Sequence, residues 1–474
     1  MSAPASSSSV QDAAIGEWEA YLAALARIES RILPSSPVPA SREAFQLRAR
    51  RRIERLRGVL AELGNPQSGL AVVHVTGTSG KGSTAVAIAA LLQGAGLRIG
   101  LATSPYLQVA TEKLQIDGQL AAGRDLRDAV AAVEQAESRW RTRTGEAALT
   151  YAEVWTALAL HWLARARVDI AVVEVGAGGR FDPTNVVEPI ASVITNIGLD
   201  HVESLGPTTA DIAWHKAGII KPGAIAVTGE GPGEAREIIA REAAAVGVQL
   251  RLVEIPQLDF GDAEPRHELA NRALARATVA ALAKSGRVDP GKIDPGVLAG
   301  ARLPGRFEQM PTGDGPKVIL DGAHNPDKVA ALLDAVGRWR TPRGLPPPVV
   351  VAGALAAKDA RGLVPVLTPG VALVATTAAT TAKPGTPPTT IADLARAFGF
   401  PGTVTVEPEP AAAMALALAL AAERETWVLG TGSLYLVGDL RRRWFSDRLI
   451  VEARSPWPVP PEAGHGSGSA VDPV

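Results

Sequence analysis

Between residues 16 and 63, apolar side chains recur every three or four positions: Trp18, Tyr21, Leu22 and Leu25, then Leu56, Val59, Leu60 and Leu63. That is the spacing of one helix face, and the proline-rich segment 34–39 interrupts it, so the pattern predicts a helical preamble in two pieces. From residue 70 the pattern changes. Short continuous apolar runs at 70–75, 99–102, 169–175 and 191–197 read as strands, and the longer runs 83–92 and 151–163 as helices. Strands alternating with helices predict an α/β fold with a mostly parallel sheet covered on both faces. A Pro/Gly-rich stretch, 303–316, breaks the series. A second series follows, with strands at 317–320, 349–352, 371–375, 403–406 and 427–429. The domain boundary is placed near Pro311, giving an N-terminal domain 1–310 and a smaller domain 311–454. No short internal repeat is present.

Composition narrows the function classes. Among 474 residues, 48 Lys and Arg against 49 Asp and Glu leave a formal charge of -1, which offers no global attraction to nucleic acid or to a membrane surface. The longest wholly apolar run, 411–422, is far shorter than the roughly 20 residues that span a bilayer. There is no cysteine, so disulfides, a thiolate nucleophile and Cys-ligated zinc are excluded. Any metal must sit on His, Ser/Thr and carboxylate groups, and oxygen-rich sites favour magnesium. Residues 1–10 are Ser-rich but lack a basic and then apolar leader, so a cytoplasmic protein is expected. The Pro/Gly/Ser-rich segment 455–474 is expected to be a disordered tail.

The first strand runs directly into Gly77-Thr78-Ser79-Gly80-Lys81-Gly82-Ser83-Thr84 and then into a helical pattern. Glycines let successive backbone N–H groups face one point, a helix N-terminus adds partial positive charge, and Lys81 adds a full one. This is a cradle for a triphosphate, tighter than the usual phosphate loop by two residues before the Gly-Lys pair. In an open parallel sheet, ligands bind beyond the carboxyl ends of the strands. Ser104, Glu174, Asp200 and His201 all fall at such ends. Singly, Ser104 reads as a turn residue, Glu174 as an arginine partner and His201 as a helix cap; together they supply a hydroxyl, a carboxylate and an imidazole beside the triphosphate, a reasonable magnesium site. Lys216, on a helical segment, reads by itself as a solvated charge.

These segments resemble the folylpolyglutamate synthases and bifunctional dihydrofolate synthases of the Mur ligase superfamily, over roughly residues 18–443. The resemblance is carried by Leu63-Gly64-Asn65-Pro66-Gln67, the loop from His74 to Ser83, Thr103-Ser104-Pro105, the stretch from Glu174 to Asn185 and that from Ile194 to His201. It continues through Lys216-Ala217-Gly218-Ile219-Ile220-Lys221, Pro304-Gly305-Arg306, Asp321-Gly322-Ala323-His324-Asn325-Pro326 and Thr431-Gly432-Ser433-Leu434-Tyr435. It implies an N-terminal ATPase domain and a Rossmann-like C-terminal domain. The expected activity is ATP-dependent addition of L-glutamate to tetrahydrofolate and to dihydropteroate by way of an acyl phosphate, in a monomer. It also implies ATP and Mg2+ as cofactors, with the metal on Ser104, Glu174, His201 and a carbamoylated Lys216. Nucleotide contacts would come from the loop (Gly77, Thr78, Gly80, Lys81, Gly82, Ser83), Asn271, Arg306, Asp321 and Ser433, and catalysis would involve Lys81, Lys216, Asp321 and His324. The chain departs from the family pattern at Ala152, where an aromatic is usual, and at Tyr106, Lys113 and His215. Those positions bear on the pteroyl pocket and leave the ATP chemistry untouched. The rival readings are a monofunctional synthase, a wall-precursor amide ligase of the same superfamily, and a nucleotide-dependent switch without ligase activity.

Overall fold

The computed structural model describes residues 16–32, 42–255, 266–356, 360–367, 369–378 and 384–459. Two sheets organise them. The first contains β1 (Val72–Thr76), β2 (Ile99–Ala102), β3 (Leu114–Ile116), β4 (Gln119–Leu120), β5 (Ile170–Glu174), β6 (Pro189–Ile194), β7 (Ile225–Thr228) and β8 (Leu250–Leu252). Their order is β4-β3-β2-β5-β1-β6-β7-β8, with β3 and β4 antiparallel at one edge and the rest parallel. The second contains β9 (Glu308–Gln309), β10 (Val318–Asp321), β11 (Val349–Ala352), β12 (Ala372–Ala375), β13 (Thr403–Val406) and β14 (Val428–Thr431). Its order is β13-β12-β11-β14-β10-β9, and only β9 runs antiparallel.

The central strands are apolar at nearly every position because both faces are covered. In β5, Ala171 and Val173 join one core while Ile170 and Val172 join the other. The second sheet repeats the arrangement: Val349 and Val351 of β11 face the first of these cores, and Val350 and Ala352 face a separate one. One contiguous apolar cluster therefore contains residues of both sheets. A buried polar network also joins them. Arg441, with no exposed side-chain surface, donates to Glu308 at 3.0 Å and to the Gln108 Oε1 at 2.6 Å. Gln108 in turn donates to the Phe445 carbonyl at 2.9 Å.

The preamble forms the helices Glu17–Glu29 and Arg42–Glu62, with the expected Leu56, Val59 and Leu60 fully buried. Leu22 departs from expectation and is exposed, because the buried stripe runs through Ala20, Tyr21, Ala24 and Ile28. The proline-rich break at 34–39 lies outside the described residues.

Three further differences have simple causes. The β3–β4 edge is only three and two residues long, and β8 is partly exposed, so neither makes a strong apolar run. The second sheet starts at Glu308, ahead of the expected boundary at 311, because β9 is a two-residue edge strand inside the Pro/Gly stretch, pairing Glu308 with Leu320. Disorder from residue 455 onward is likewise corrected for 455–459. The Trp457 indole donates to Glu308 at 2.7 Å, and the Arg302 guanidinium lies 4.7 Å from its ring centre. Residues 460–474 lie outside the described residues. Among the described residues, no helix is long and apolar enough to cross a membrane.

Candidate active site

β1 lies between β5 and β6, from which the chain winds outward in opposite directions, so its carboxyl end is a switch point of the sheet. There the chain turns over residues 77–80 into the helix Lys81–Gly94. The turn requires its glycines. Gly77 has φ +152° and Gly80 φ +77°, and a Cβ on them would stand 1.7 Å from the Thr195 Oγ1 and 2.2 Å from the Asn271 Oδ1. The segment after β6 pins the loop: the Ser79 N–H donates to the Asn196 Oδ1 at 2.9 Å, and the Thr195 hydroxyl donates to the Ser79 carbonyl at 2.6 Å. Thr78 is held the same way, its N–H donating to the Asn196 carbonyl at 3.0 Å and its hydroxyl to that of Gly198 at 3.0 Å. Buried Asn271, from the helix Arg266–Lys284, accepts from the Thr84 hydroxyl at 3.2 Å. The result is a rigid loop whose helix N-terminus, with Gly80, Lys81, Gly82 and Ser83, opens on a cavity of about 1550 Å³.

Two lysines converge on one carbonyl of this loop, Lys81 from the cavity side and Lys216 from behind. Lys81 Nζ donates to the Gly77 carbonyl at 3.1 Å, and Lys216 Nζ donates to the same oxygen at 2.8 Å. Lys216 is only 3% exposed and does not line the cavity, and neither does Gly77. Burial, reinforced by the charge of Lys81, lowers the Lys216 ammonium to a pKa of about 7, against the pull of Asp200 and Asp182. Read singly from the sequence, this lysine looked solvated. It faces inward because the last turn of the helix Thr209–Ala217 is buried at His215, Lys216 and Ala217.

Glu174 ends β5 and is buried beside the loop; its Oε2 accepts the Ser104 N–H at 2.9 Å and would stand 3.3 Å from a Cβ at Gly82. Burial raises its pKa, while Lys81, the Ser104 N–H, Arg306 and Lys113 pull it down. A buried carboxylate and a serine hydroxyl on the cavity wall are hard oxygen donors, so these two residues fit magnesium. His201 also lines the cavity, but its ring is half exposed and lies 3.7 Å from Asp200. Among the described residues, no three His, Asp or Glu side chains form a metal cluster. Of the four expected ligands, Ser104 and Glu174 are brought together, His201 stands on the wall, and Lys216 lies behind the loop.

The facing wall comes from the second sheet. Asp321 ends β10 and pairs with Thr431 of β14, so the segments after these strands emerge side by side. The Asp321 carboxylate accepts the Phe307 and Ala323 N–H groups, each at 2.8 Å; burial raises its pKa and Arg306 opposes the rise. His324 Nδ1 lies 2.8 Å from the Gly322 carbonyl and Nε2 lies 3.1 Å from Lys328 Nζ. A carbonyl only accepts and an ammonium only donates, so these two contacts fit the tautomer that carries its proton on Nδ1. Buried Ser433 caps the helix Leu434–Arg441 by accepting the Tyr435 N–H at 3.2 Å. Arg306, Asp321, His324 and Ser433 all line the cavity.

Around Ala152, the same cavity is walled by Tyr106, Tyr151 and Tyr435, whose hydroxyls burial makes harder to ionise. Lys113 Nζ sits 5.1 Å from the Trp155 ring centre, and burial lowers its pKa to about 8. Sequence reasoning missed Lys328, Glu112 and the cavity-facing side of the helix Arg42–Glu62. The last had a signal: Ala44, Leu47, Arg48, Arg51, Arg52 and Arg55 recur at helical spacing.

The Mur ligase middle domain matches residues 75–229, and the Mur ligase glutamate ligase domain matches residues 305–434. The folylpolyglutamate synthase of Lacticaseibacillus casei is 36% identical over 331 residues, 64% of this chain and 76% of that protein. The chain belongs to the folylpolyglutamate synthase family. A Mycobacterium tuberculosis member named dihydrofolate synthase/folylpolyglutamate synthase is 33% identical over 356 residues, 67% of this chain and 72% of the relative. The structure of M. tuberculosis folylpolyglutamate synthase complexed with ADP superposes with a TM-score of 0.76 at 27% identity, covering 91% of this chain and all of that one. The two-sheet architecture is that of this family.

Proposed function

We propose that this chain is an ATP-dependent ligase that joins L-glutamate to the carboxylate of tetrahydrofolate-type folates and of dihydropteroate. The observation that carries the reading is one cavity with a phosphate loop on one wall and Arg306, Asp321, His324 and Ser433 on the other. A carboxylate is a poor acyl donor. ATP makes it one when a carboxylate oxygen attacks the γ-phosphorus, forming an acyl phosphate and ADP, after which the glutamate amine displaces phosphate and forms the amide. The loop N–H groups and Lys81 neutralise the triphosphate where charge shifts toward ADP. Asn271 positions the nucleotide from one side of the loop, and Arg306, Asp321 and Ser433 contact it across the cleft. His324 is the imidazole on this wall: Lys328 holds its Nε2 at 3.1 Å, and Nε2 takes a proton from the incoming ammonium once Lys328 turns away. The Glu174 carboxylate and the Ser104 hydroxyl, with His201 on the same wall, would hold magnesium, which would supply further charge neutralisation when bound. Lys216, neutral to a large extent near pH 7, is suited to carbamoylation, since only the free amine attacks CO2.

Tyr106, Tyr151 and Tyr435 offer the flat apolar surface for a pterin that Ala152 does not. The division into a nucleotide domain and a smaller second domain falls in the segment just before β9. The test is amide formation: with ATP, magnesium and glutamate, the protein should extend both tetrahydrofolate and dihydropteroate by one glutamyl residue, read by mass spectrometry. Extension of tetrahydrofolate alone reduces the reading to a monofunctional synthase, and ATP hydrolysis without any amide overturns it.

A further inference from the structure

The helix Arg42–Glu62 carries seven arginines against three glutamates. Its face bearing Ala44, Leu47, Arg48, Arg51, Arg52 and Arg55 lines the same cavity as the phosphate loop. Neighbouring elements neutralise part of this charge: Arg55 is held by Glu153 through contacts of 2.6 to 3.1 Å, and Arg31, on the same rim, pairs with Glu137. Arg51 and Arg52 are different. Among the described residues no carboxylate pairs with either, and the Arg52 Nε is buried without a hydrogen-bond partner. Neither guanidinium takes part in nucleotide binding or ligation as described above. Two unpaired guanidinium groups facing a cavity call for a ligand with several carboxylates.

The product of the proposed reaction is such a ligand. Each ligation consumes one carboxylate and brings in two, so the substrate gains one negative charge per round. We propose that Arg51 and Arg52 form a track that holds the γ-glutamyl tail of an already extended folate; this rests on the ligase reading. The dimensions agree. Positions four apart on a helix are separated by about 6 Å along its axis. A γ-linked glutamyl unit, with two more chain bonds than the ~3.6 Å of an ordinary residue, extends to roughly the same length. The face from 44 to 55 is about 16 Å long, enough for two or three units. The cavity, about 1550 Å³, is also larger than the roughly 300–1,000 Å³ of a typical small-molecule site, which leaves room for a tail beside nucleotide and pterin.

The experiment compares monoglutamyl and tetraglutamyl tetrahydrofolate as substrates of the wild type, of Arg51→Ala/Arg52→Ala, and of Arg51→Lys/Arg52→Lys. The alanine variant should raise KM for the tetraglutamyl substrate about tenfold, which is ~1.4 kcal/mol, with kcat and the monoglutamyl KM nearly unchanged. The lysine variant should recover most of the loss, and added salt should narrow the gap between wild type and the alanine variant. In parallel, calorimetry measures binding of a tetra-γ-glutamate peptide that lacks the pterin. Wild type should bind it in a salt-dependent manner and the alanine variant should not. Equal KM changes for both substrates, or equal peptide binding by all three proteins, overturns the track. A wild type that extends neither folate refutes the ligase reading instead, and peptide binding then still decides the arginine face.

Discussion

Replacing Lys216 by methionine should make the protein more stable and inactive at once. The buried ammonium has a pKa of about 7, whereas a lysine in the unfolded chain holds its proton to about 10.4. At ~1.4 kcal/mol per unit, a difference of roughly three units disfavours the charged folded form by about 4–5 kcal/mol. Methionine removes that penalty and fills a similar volume, but it forfeits the 2.8 Å hydrogen bond to Gly77, returning about 1–3 kcal/mol. A net gain of about 2–3 kcal/mol is expected at pH 6. The sign with pH follows from proton counting. Below pH 7 both states of the wild type are protonated and the penalty is fully present. Above pH 7 the unfolded state binds more protons than the folded one, so wild-type stability rises with pH and the advantage of methionine shrinks by about 1.4 kcal/mol per unit. Urea unfolding at pH 6, 7, 8 and 9, in CO2-free buffer without metal or nucleotide, measures this. A stability difference that stays constant from pH 6 to 9 refutes the reasoning.

Three other variants probe separate parts of the account. Lys81→Ala should lower kcat for ligation by about 10²–10³-fold, the scale of losing a charge-stabilising donor, and should let the Lys216 pKa rise; rates within threefold of wild type contradict the loop assignment. Glu174→Gln should raise the magnesium concentration needed for half-maximal activity more than it raises the folate KM, measured in paired titrations, since the lost charge faces the metal. Arg441→Met should cost about 3–5 kcal/mol of stability because Glu308 is left buried without its partner; denaturant unfolding checks it, and a loss under 1 kcal/mol contradicts the buried network.

The phosphate loop was legible because its chemistry is local: strand, glycines, lysine and helix follow one another without a break from Val72 to Gly94. Strands buried on both faces were legible for the same reason, each being a continuous apolar run. What the pattern could not show depends on contacts between distant segments. Lys216 looks like a surface lysine until the fold carries it 139 positions back to the Gly77 carbonyl. Edge strands such as β9 owe their existence to a partner, Glu308 meeting Leu320, rather than to their own composition. Trp457 sits in a segment that reads as disordered, yet Glu308 and Arg302 give its ring a partner and a cover. The arginine face of the helix Arg42–Glu62 was visible as spacing, but only the structure shows that it borders the cavity.

The central claim is that one cavity activates a folate carboxylate with ATP and passes it to an amine. Folate labelled with 18O in its terminal carboxylate tests this directly, because that oxygen must leave with the phosphate when the amine displaces it. The account predicts one labelled oxygen in inorganic phosphate for every amide formed, with ADP released in equal amount. Phosphate free of label, with amide still produced, would contradict the acyl phosphate and with it the roles assigned to both walls of the site.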